Sequence, residues 1–263
     1  RIGEERFRRE HECEFIIYDE TLINSIKLVD LTPKDPYERT GQTRWYKKPR
    51  AGHAYMCALD PSLGTGGDYA AIEVFELPGM VQVAEWQHNN TPIQGQIRVL
   101  KEIINHIDST ITQHSNKTPE IYYSVENNTL GEAALIAIQD QGEENIKGLF
   151  VSEPIRKGHV RKFRKGFNTT HRAKISSCSK FKEYVENDKM IVHSKNLISE
   201  LKTFVALGTS FGAKPGEHDD LVMATLLICR MIGVIASWDQ KLYTRLKENL
   251  AEEIAPMPIF VVT

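Results

Sequence analysis

The residues best able to do chemistry here are acids that interrupt apolar context. Asp60 closes the first apolar run of "MCALDPSLGTGGDYAAIEVF" (residues 56–75), and Asp68 follows its glycine-rich turn. Glu126 closes the run in "YYSVENN", and Asp219 and Asp220 open the apolar stretch "HDDLVMATLL". Each has an ordinary reading by itself. An aspartate after a strand is a common turn residue, and one at a helix start is favoured by capping and by the helix dipole. Together they place acids at the ends of two strands and at the head of one helix. If the strands of Asp60 and Glu126 are neighbours, both carboxylates emerge at one sheet edge, and a helix packed there brings Asp220 to the same point. Carboxylates so close repel and raise one another's pKa. A divalent cation relieves that repulsion, and an all-oxygen donor set suits Mg²⁺ or Mn²⁺. Two such ions about 3.5–4 Å apart clamp the attacking and leaving oxygens in phosphodiester hydrolysis.

Other residues support this reading. His218 precedes the acidic pair and either contacts the scissile region or caps the helix. Asp68 is either an outer ligand or only the start of the next strand. The stretch "RKGHVRKFRKGF" carries Arg156, Lys157, Arg161, Lys162, Arg164 and Lys165. It reads as a charge-driven, sequence-independent contact to a phosphodiester backbone, or as a solvated loop. Arg172 and Lys174 follow on the start of a helix, and either reach a phosphate near the acids or are ordinary surface charges. The "GTGG" turn is not a Walker A loop, since no Gly-Lys-Ser/Thr follows. It is not a dinucleotide fingerprint either, because a strand and not a helix comes next. A phosphate loop of the actin and sugar-kinase type is the enzymatic competitor and predicts ATP binding, but the chain shows no second loop of that kind.

The elements that must position these residues are legible in outline. "AYMCAL", "YAAIEVFEL" and "PGMVQVAEWQH" read as three strands joined by short turns, an antiparallel meander. Thr91-Pro92 opens a helix with Ile93, Ile97, Leu100, Ile104 and Ile107 at helical spacing. "EIYYSVE" is a fourth strand, "LGEAALIAIQD" a helix and "GLFVS" a short strand. The basic stretch has no apolar period. A helix with Ile175, Cys178, Phe181 and Val185 on one face follows, then "MIVH" as a short strand, "LISELKTFVAL" as a helix and the long apolar helix after Asp220. The order predicts an α/β protein with an antiparallel start and parallel crossovers. Residues 1–50 read as a linker or arm in which "CEFIIYDETLI" supplies at most a short strand, 51–237 as the domain, and 238–263 as a tail.

Composition bounds the function. The 263 residues are 41% hydrophobic and 26% charged, ordinary for a globular chain. With a formal net charge of -2, any nucleic-acid contact must come from a local basic patch. No apolar run approaches the roughly 18 residues of a membrane span, and the first residues lack a signal-peptide core. Cys13, Cys57, Cys178 and Cys229 are scattered with no C-x-x-C pair, so they read as reduced residues and not as a disulfide or zinc framework. The opening at Arg1 leads us to expect a domain of a longer protein.

"ALDPSLGTGGDYAAI", "YYSVENNTLG" and "EHDDLVMATLL", in that order, resemble the C-terminal nuclease domain of the large terminase subunit of tailed bacteriophages, and "GEERFRREHECEF" resembles the segment after its ATPase half. The resemblance implies an RNase H-like fold, with three antiparallel strands, then parallel strands, flanked by helices. It implies a metal-dependent endonuclease that cuts concatemeric double-stranded viral DNA during packaging into the prohead, in the host cytoplasm. It implies as partners DNA, the chain's own ATPase domain, the portal protein, the small terminase subunit and other copies in a motor ring, with no membrane. Asp60 takes the place of the first-strand aspartate and Glu126 of the fourth-strand acid, where many relatives have aspartate; glutamate resembles the variant of large contractile-tailed phages. The helix acid lies on the core-facing side in that superfamily. Counting back from Leu221, Ala224, Leu227 and Ile228 favours Asp220, with Asp219 second, and Asp68 matches a further acid of the family motif. On this reading Asp60 bridges two Mg²⁺ or Mn²⁺ ions, and Glu126 and Asp220 each complete one site. The ATPase elements are absent, so no ATP hydrolysis is expected of this chain. A Holliday-junction resolvase or transposase on the same fold, and a catalytically silent DNA-docking module, are the alternatives.

Overall fold

Alternation of apolar side chains along the strands builds a sheet covered on both faces. The computed structural model describes residues 20–115, 117–128, 130–157, 160–163 and 166–251, with backbone alone at 155–157, 160–163 and 249–251. The sheet comprises β1 (Glu38–Thr40), β2 (Thr43–Trp45), β3 (Ala54–Asp60), β4 (Ala70–Leu77), β5 (Val81–His88), β6 (Glu120–Val125) and β7 (Leu149–Phe150). Its spatial order is β1-β2-β5-β4-β3-β6-β7. β3, β4 and β5 form the expected antiparallel meander, and β6 joins β3 in parallel, as β7 joins β6.

Successive side chains of a strand point to opposite faces, and β3 divides accordingly. Tyr55, Cys57 and Leu59 join a core with Ile97, Leu100, Ile104 and Ile107 of α2 (Ile93–Ser115) and with Ala134, Ala137 and Ile138 of α3 (Gly131–Asp140). Ala54, Met56 and Ala58 join the other core, with Cys178, Phe181 and Val185 of α4 (His171–Glu186), Leu197 and Leu201 of α5 (Lys195–Thr203), and Leu221, Ala224 and Ile228 of α6 (Asp220–Ile235). The result is a helix–sheet–helix sandwich. The free thiols of Cys57, Cys178 and Cys229 are buried in these cores, as small apolar side chains are.

Several segments depart from expectation. The described part of residues 1–50 joins the domain. Thr43–Trp45 pairs with β5, a short helix α1 (Ser25–Asp30) packs on the core, and Leu22, Ile23 and Leu28 are buried. Most of "CEFIIYDETLI" lies outside the described residues, but Thr21 bridges Val205. "LISELKTFVAL" is helical only to Thr203; Phe204–Leu207 forms β10, paired with β11 (Ser210–Ala213) around Gly208 at φ +62°. Aromatic and β-branched residues beside a glycine favour that hairpin over another helical turn. "MIVH" makes a single bridge, Val81 to Ile191, and no strand of its own. The basic stretch forms a hairpin, β8 (Pro154–Lys157) with β9 (Val160–Phe163). Beyond Trp238, α7 (Gln240–Ala251) buries Leu242 and Leu246 in the core. Among the described residues no single helix is long and apolar enough to cross a membrane.

Candidate active site

Strand register brings the first two acids together. β3 and β6 are parallel neighbours with Leu59 opposite Val125, and the Glu126 N–H donates to the Leu59 carbonyl at 2.9 Å. The next residues are Asp60 and Glu126. By strand alternation Asp60 continues the Ala54–Met56–Ala58 side and Glu126 continues the Tyr122 side, both facing the core that holds α6. The Glu126 carboxylate lies close enough to Asp60 to disfavour its ionisation. Burial first, then the charges of Glu126, Asp220 and Asp219, pushes the Asp60 carboxyl well above the ordinary range.

α6 packs on β3 and β4 and supplies the third acid at its first turn. Asp220 stands one turn before Ala224 and two before Leu227 and Ile228, on the stripe that meets the sheet. Its pKa is raised to about 6, by burial and then by the Asp219 charge, with Asp68 adding to the rise. Its Oδ2 is buried without a hydrogen-bond partner, and His218 Nδ1 stops 3.7 Å away. Asp219 Oδ2 faces elsewhere, accepting from the Ala213 N–H at 3.3 Å with Lys174 Nζ at 3.8 Å. His218 rests its ring edge-on against Tyr69, centroids 4.9 Å apart. A cavity of about 450 Å³ lies between Asp60, the glycine loop, Asp68 and residues 217–220.

The glycine turn is a docked loop. Gln96 on α2 holds both backbone groups of Ser62, donating to its carbonyl at 2.8 Å and accepting from its N–H at 3.3 Å. The Gly66 N–H donates to the Asn89 carbonyl at 2.8 Å. Gly64 adopts φ +70°, and a Cβ there would lie 2.1 Å from the Thr91 carbonyl oxygen, so only glycine fits. The loop forms one cavity wall and presents Asp68, exposed, at its end.

Glu126 is buttressed from the other side. Asn128 Nδ2 donates to Glu126 Oε1 at 2.9 Å, and Asn128 Oδ1 accepts the Thr169 N–H at 3.1 Å. Phe167 bridges Glu126 in parallel, and Arg230 anchors that segment. Its guanidinium lies 5.0 Å over the Phe167 ring and donates to the Asn168 carbonyl, Thr169 Oγ1 and Glu153 at 3.0, 3.1 and 3.0 Å. Gln96, Asn128, Arg230 and Glu200 are site supports that sequence reasoning passed over. Of these only Asn128 stands beside one of the acids in the sequence, two residues after Glu126.

The structure thus brings Asp60, Glu126 and Asp220 to one corner, with Asp219, His218 and Asp68 on the cavity and Lys174 beside Asp219. Arg172 is exposed near the start of α4. Arg156 and Lys157 lie on β8, Arg161 and Lys162 on β9, with Arg156 opposite Arg161. Arg164 and Lys165 lie outside the described residues. Among the described residues no group of three or more His, Cys, Asp or Glu side chains is already gathered around a point that would hold a metal. The donor chemistry nevertheless fits a hard cation: clustered carboxylates with raised pKa values and one buried, unpartnered oxygen.

Similar folds occur among solved structures. The large terminase nuclease of thermophilic phage G20c, with bound magnesium, matches at 18% identity over 80% of this chain and 97% of that one, with a TM-score of 0.57. The same nuclease with bound zinc matches at 20% identity over 76% and 94%, TM-score 0.51. The large terminase nuclease domain of Thermus phage P74-26 matches at 18% identity over 81% and 94%, TM-score 0.53. At these identities the likeness establishes the fold, an RNase H-like α/β sheet. The model of the terminase RNase H-like domain family matches residues 57–231, a span that includes Asp60, Glu126 and Asp220. The chain belongs to the terminase RNase H-like domain family.

Proposed function

We propose that this chain is the metal-dependent endonuclease of a viral DNA-packaging motor, cutting concatemeric double-stranded DNA. The carrying observation is the register that sets Asp60 and Glu126 on adjacent parallel strands, under the helix that begins with Asp220. Family membership and the similar phage nucleases, one of them with bound magnesium, support the same reading.

Asp60, Glu126 and Asp220 would hold Mg²⁺ or Mn²⁺, as a pair of ions, with Asp219 and Asp68 as outer acids. When bound, such ions supply positive charge at the phosphoryl oxygens and make water a stronger nucleophile at neutral pH. The protein's own part is to gather and orient. Asn128 keeps Glu126 aimed through its 2.9 Å hydrogen bond. The docked glycine loop walls the cavity on one side. Lys174, held 3.8 Å from Asp219, is placed to meet a phosphate, with His218 and Arg172 nearby in the chain. The hairpin β8–β9 carries Arg156, Lys157, Arg161 and Lys162, residue types suited to a DNA-backbone contact that positions the duplex without reading its sequence. In the assembled motor its partners are an ATPase domain, the portal, the small subunit and further copies, in the host cytoplasm.

Asp60→Asn tests the assignment. It should abolish linearisation of supercoiled plasmid in Mg²⁺ or Mn²⁺ while leaving retention on double-stranded DNA unchanged. A D60N chain that still linearises the plasmid at the wild-type rate overturns the proposal.

A further inference from the structure

The first backbone N–H groups of any helix need acceptors from outside it. The residue before α6, Asp219, is of the type that normally caps a helix start, yet it makes no side-chain cap. Its carboxylate is committed to the Ala213 N–H and to Lys174. The acceptor comes from another helix. Glu200, on α5 and only 8% exposed, takes the Val222 N–H on Oε2 at 3.1 Å. Its Oε1 accepts from Gln87 Nε2 of β5 at 2.8 Å.

α5 is itself fixed to the same strand. Gln82 Oε1, on β5, accepts the N–H groups of His193 and Ser194 at 2.8 Å each, and Ser194 Oγ caps α5 by accepting from Leu197 at 2.9 Å. A continuous set of bonds therefore runs from β5 through both ends of α5 to the first turn of α6.

We propose that Glu200 is a positioning residue for Asp220, a helix cap supplied from α5 that fixes the first turn of α6 and leaves the Asp219 carboxylate to the Ala213 N–H and Lys174. It touches neither substrate nor ion. It acts by holding the backbone that carries Asp220, as outer-shell partners hold ligands in metal sites. This rests on the nuclease reading for its catalytic consequence, but the cap itself can be measured without DNA or metal.

The test uses the full 263-residue chain as wild type, Glu200→Ala and Glu200→Gln. In chelator, amide hydrogen exchange is followed at Leu221 and Val222 and deeper in α6. Mn²⁺ binding is titrated by calorimetry, and plasmid cleavage is measured separately. E200A should expose the Val222 amide while Ile228 keeps its protection, weaken Mn²⁺ binding, and lower cleavage roughly 10–100-fold, the usual cost of losing an outer-shell support. E200Q keeps an acceptor and should stay close to wild type in all three, once the Gln87 amide turns over. Should E200A not fold, Gln87→Ala removes the group that aims Glu200 and should shift exchange and Mn²⁺ binding in the same direction. Unchanged exchange at Val222 and unchanged Mn²⁺ binding in E200A, or in Q87A, overturns the proposal. So does a loss in E200Q equal to that in E200A, which would assign the effect to charge. A D60N chain that still cuts DNA would defeat the nuclease reading and leave these readouts standing.

Discussion

A carboxylate buried among others should weaken the fold that holds it, and Asp220 gives that cost a magnitude. Its pKa rises from an ordinary 3.8 to about 6 through burial and the Asp219 charge. The folded value lies above the unfolded one, so the folded state binds the proton more tightly. The associated stability is therefore fully present below about 3.8 and is lost as the pH rises through about 6. At about 1.36 kcal/mol per pH unit the loss is about 3 kcal/mol. Asp220→Asn removes the ionisation but places an amide where Oδ2 lacks a partner, which returns part of the gain. In chelator at pH 8 the D220N chain should be more stable than wild type by about 1–3 kcal/mol, or roughly 2–12 °C in Tm for a chain of this size. The gap should shrink towards pH 4, where the wild-type carboxyl is protonated. Saturating Mn²⁺ should stabilise the wild type more than D220N and narrow the gap at pH 8. Urea unfolding followed by circular dichroism at both pH values reads the difference. A D220N chain no more stable than wild type in chelator at pH 8, or a gap independent of pH, would refute the reasoning.

Two further perturbations probe the supports. Arg230→Met removes the charged hydrogen bonds to Glu153, Asn168 and Thr169 and the contact with Phe167. It should cost about 2–4 kcal/mol by urea unfolding and lower cleavage by loosening the segment beside Glu126. Gly64→Ala forces a side chain onto φ +70° and against the Thr91 carbonyl. A loss of about 2 kcal/mol or more is expected, with a fall in cleavage as the loop leaves its dock; an unchanged Tm would contradict the docked loop.

The acids announced themselves in the sequence because they end apolar runs, and apolar runs are where local pattern is strongest. The meander β3–β4–β5, the helix over Ile93–Ser115 and the long helix after Asp220 follow from periodicities of two and 3.6 residues. The place of Asp220 on the core-facing stripe is likewise a matter of counting along one helix. The switch at Phe204 from helix to hairpin was hidden, since the apolar residues of "LISELKTFVAL" satisfy either element until β11 offers a partner.

Tertiary structure decided what depends on register and on distant partners. That Asp60 and Glu126 emerge side by side requires β6 to lie beside β3 in one register, and a slip of one residue would turn Glu126 to the opposite face. That Asp219 leaves the cap position to Glu200, and that Arg230 props the segment beside Glu126, involve contacts between residues far apart in the chain. Local pattern fixes which residues can emerge at a sheet edge or a helix head. Which of them meet, and which polar groups hold them there, is settled by packing, because most buried donors and acceptors are satisfied only by partners brought close in the folded chain.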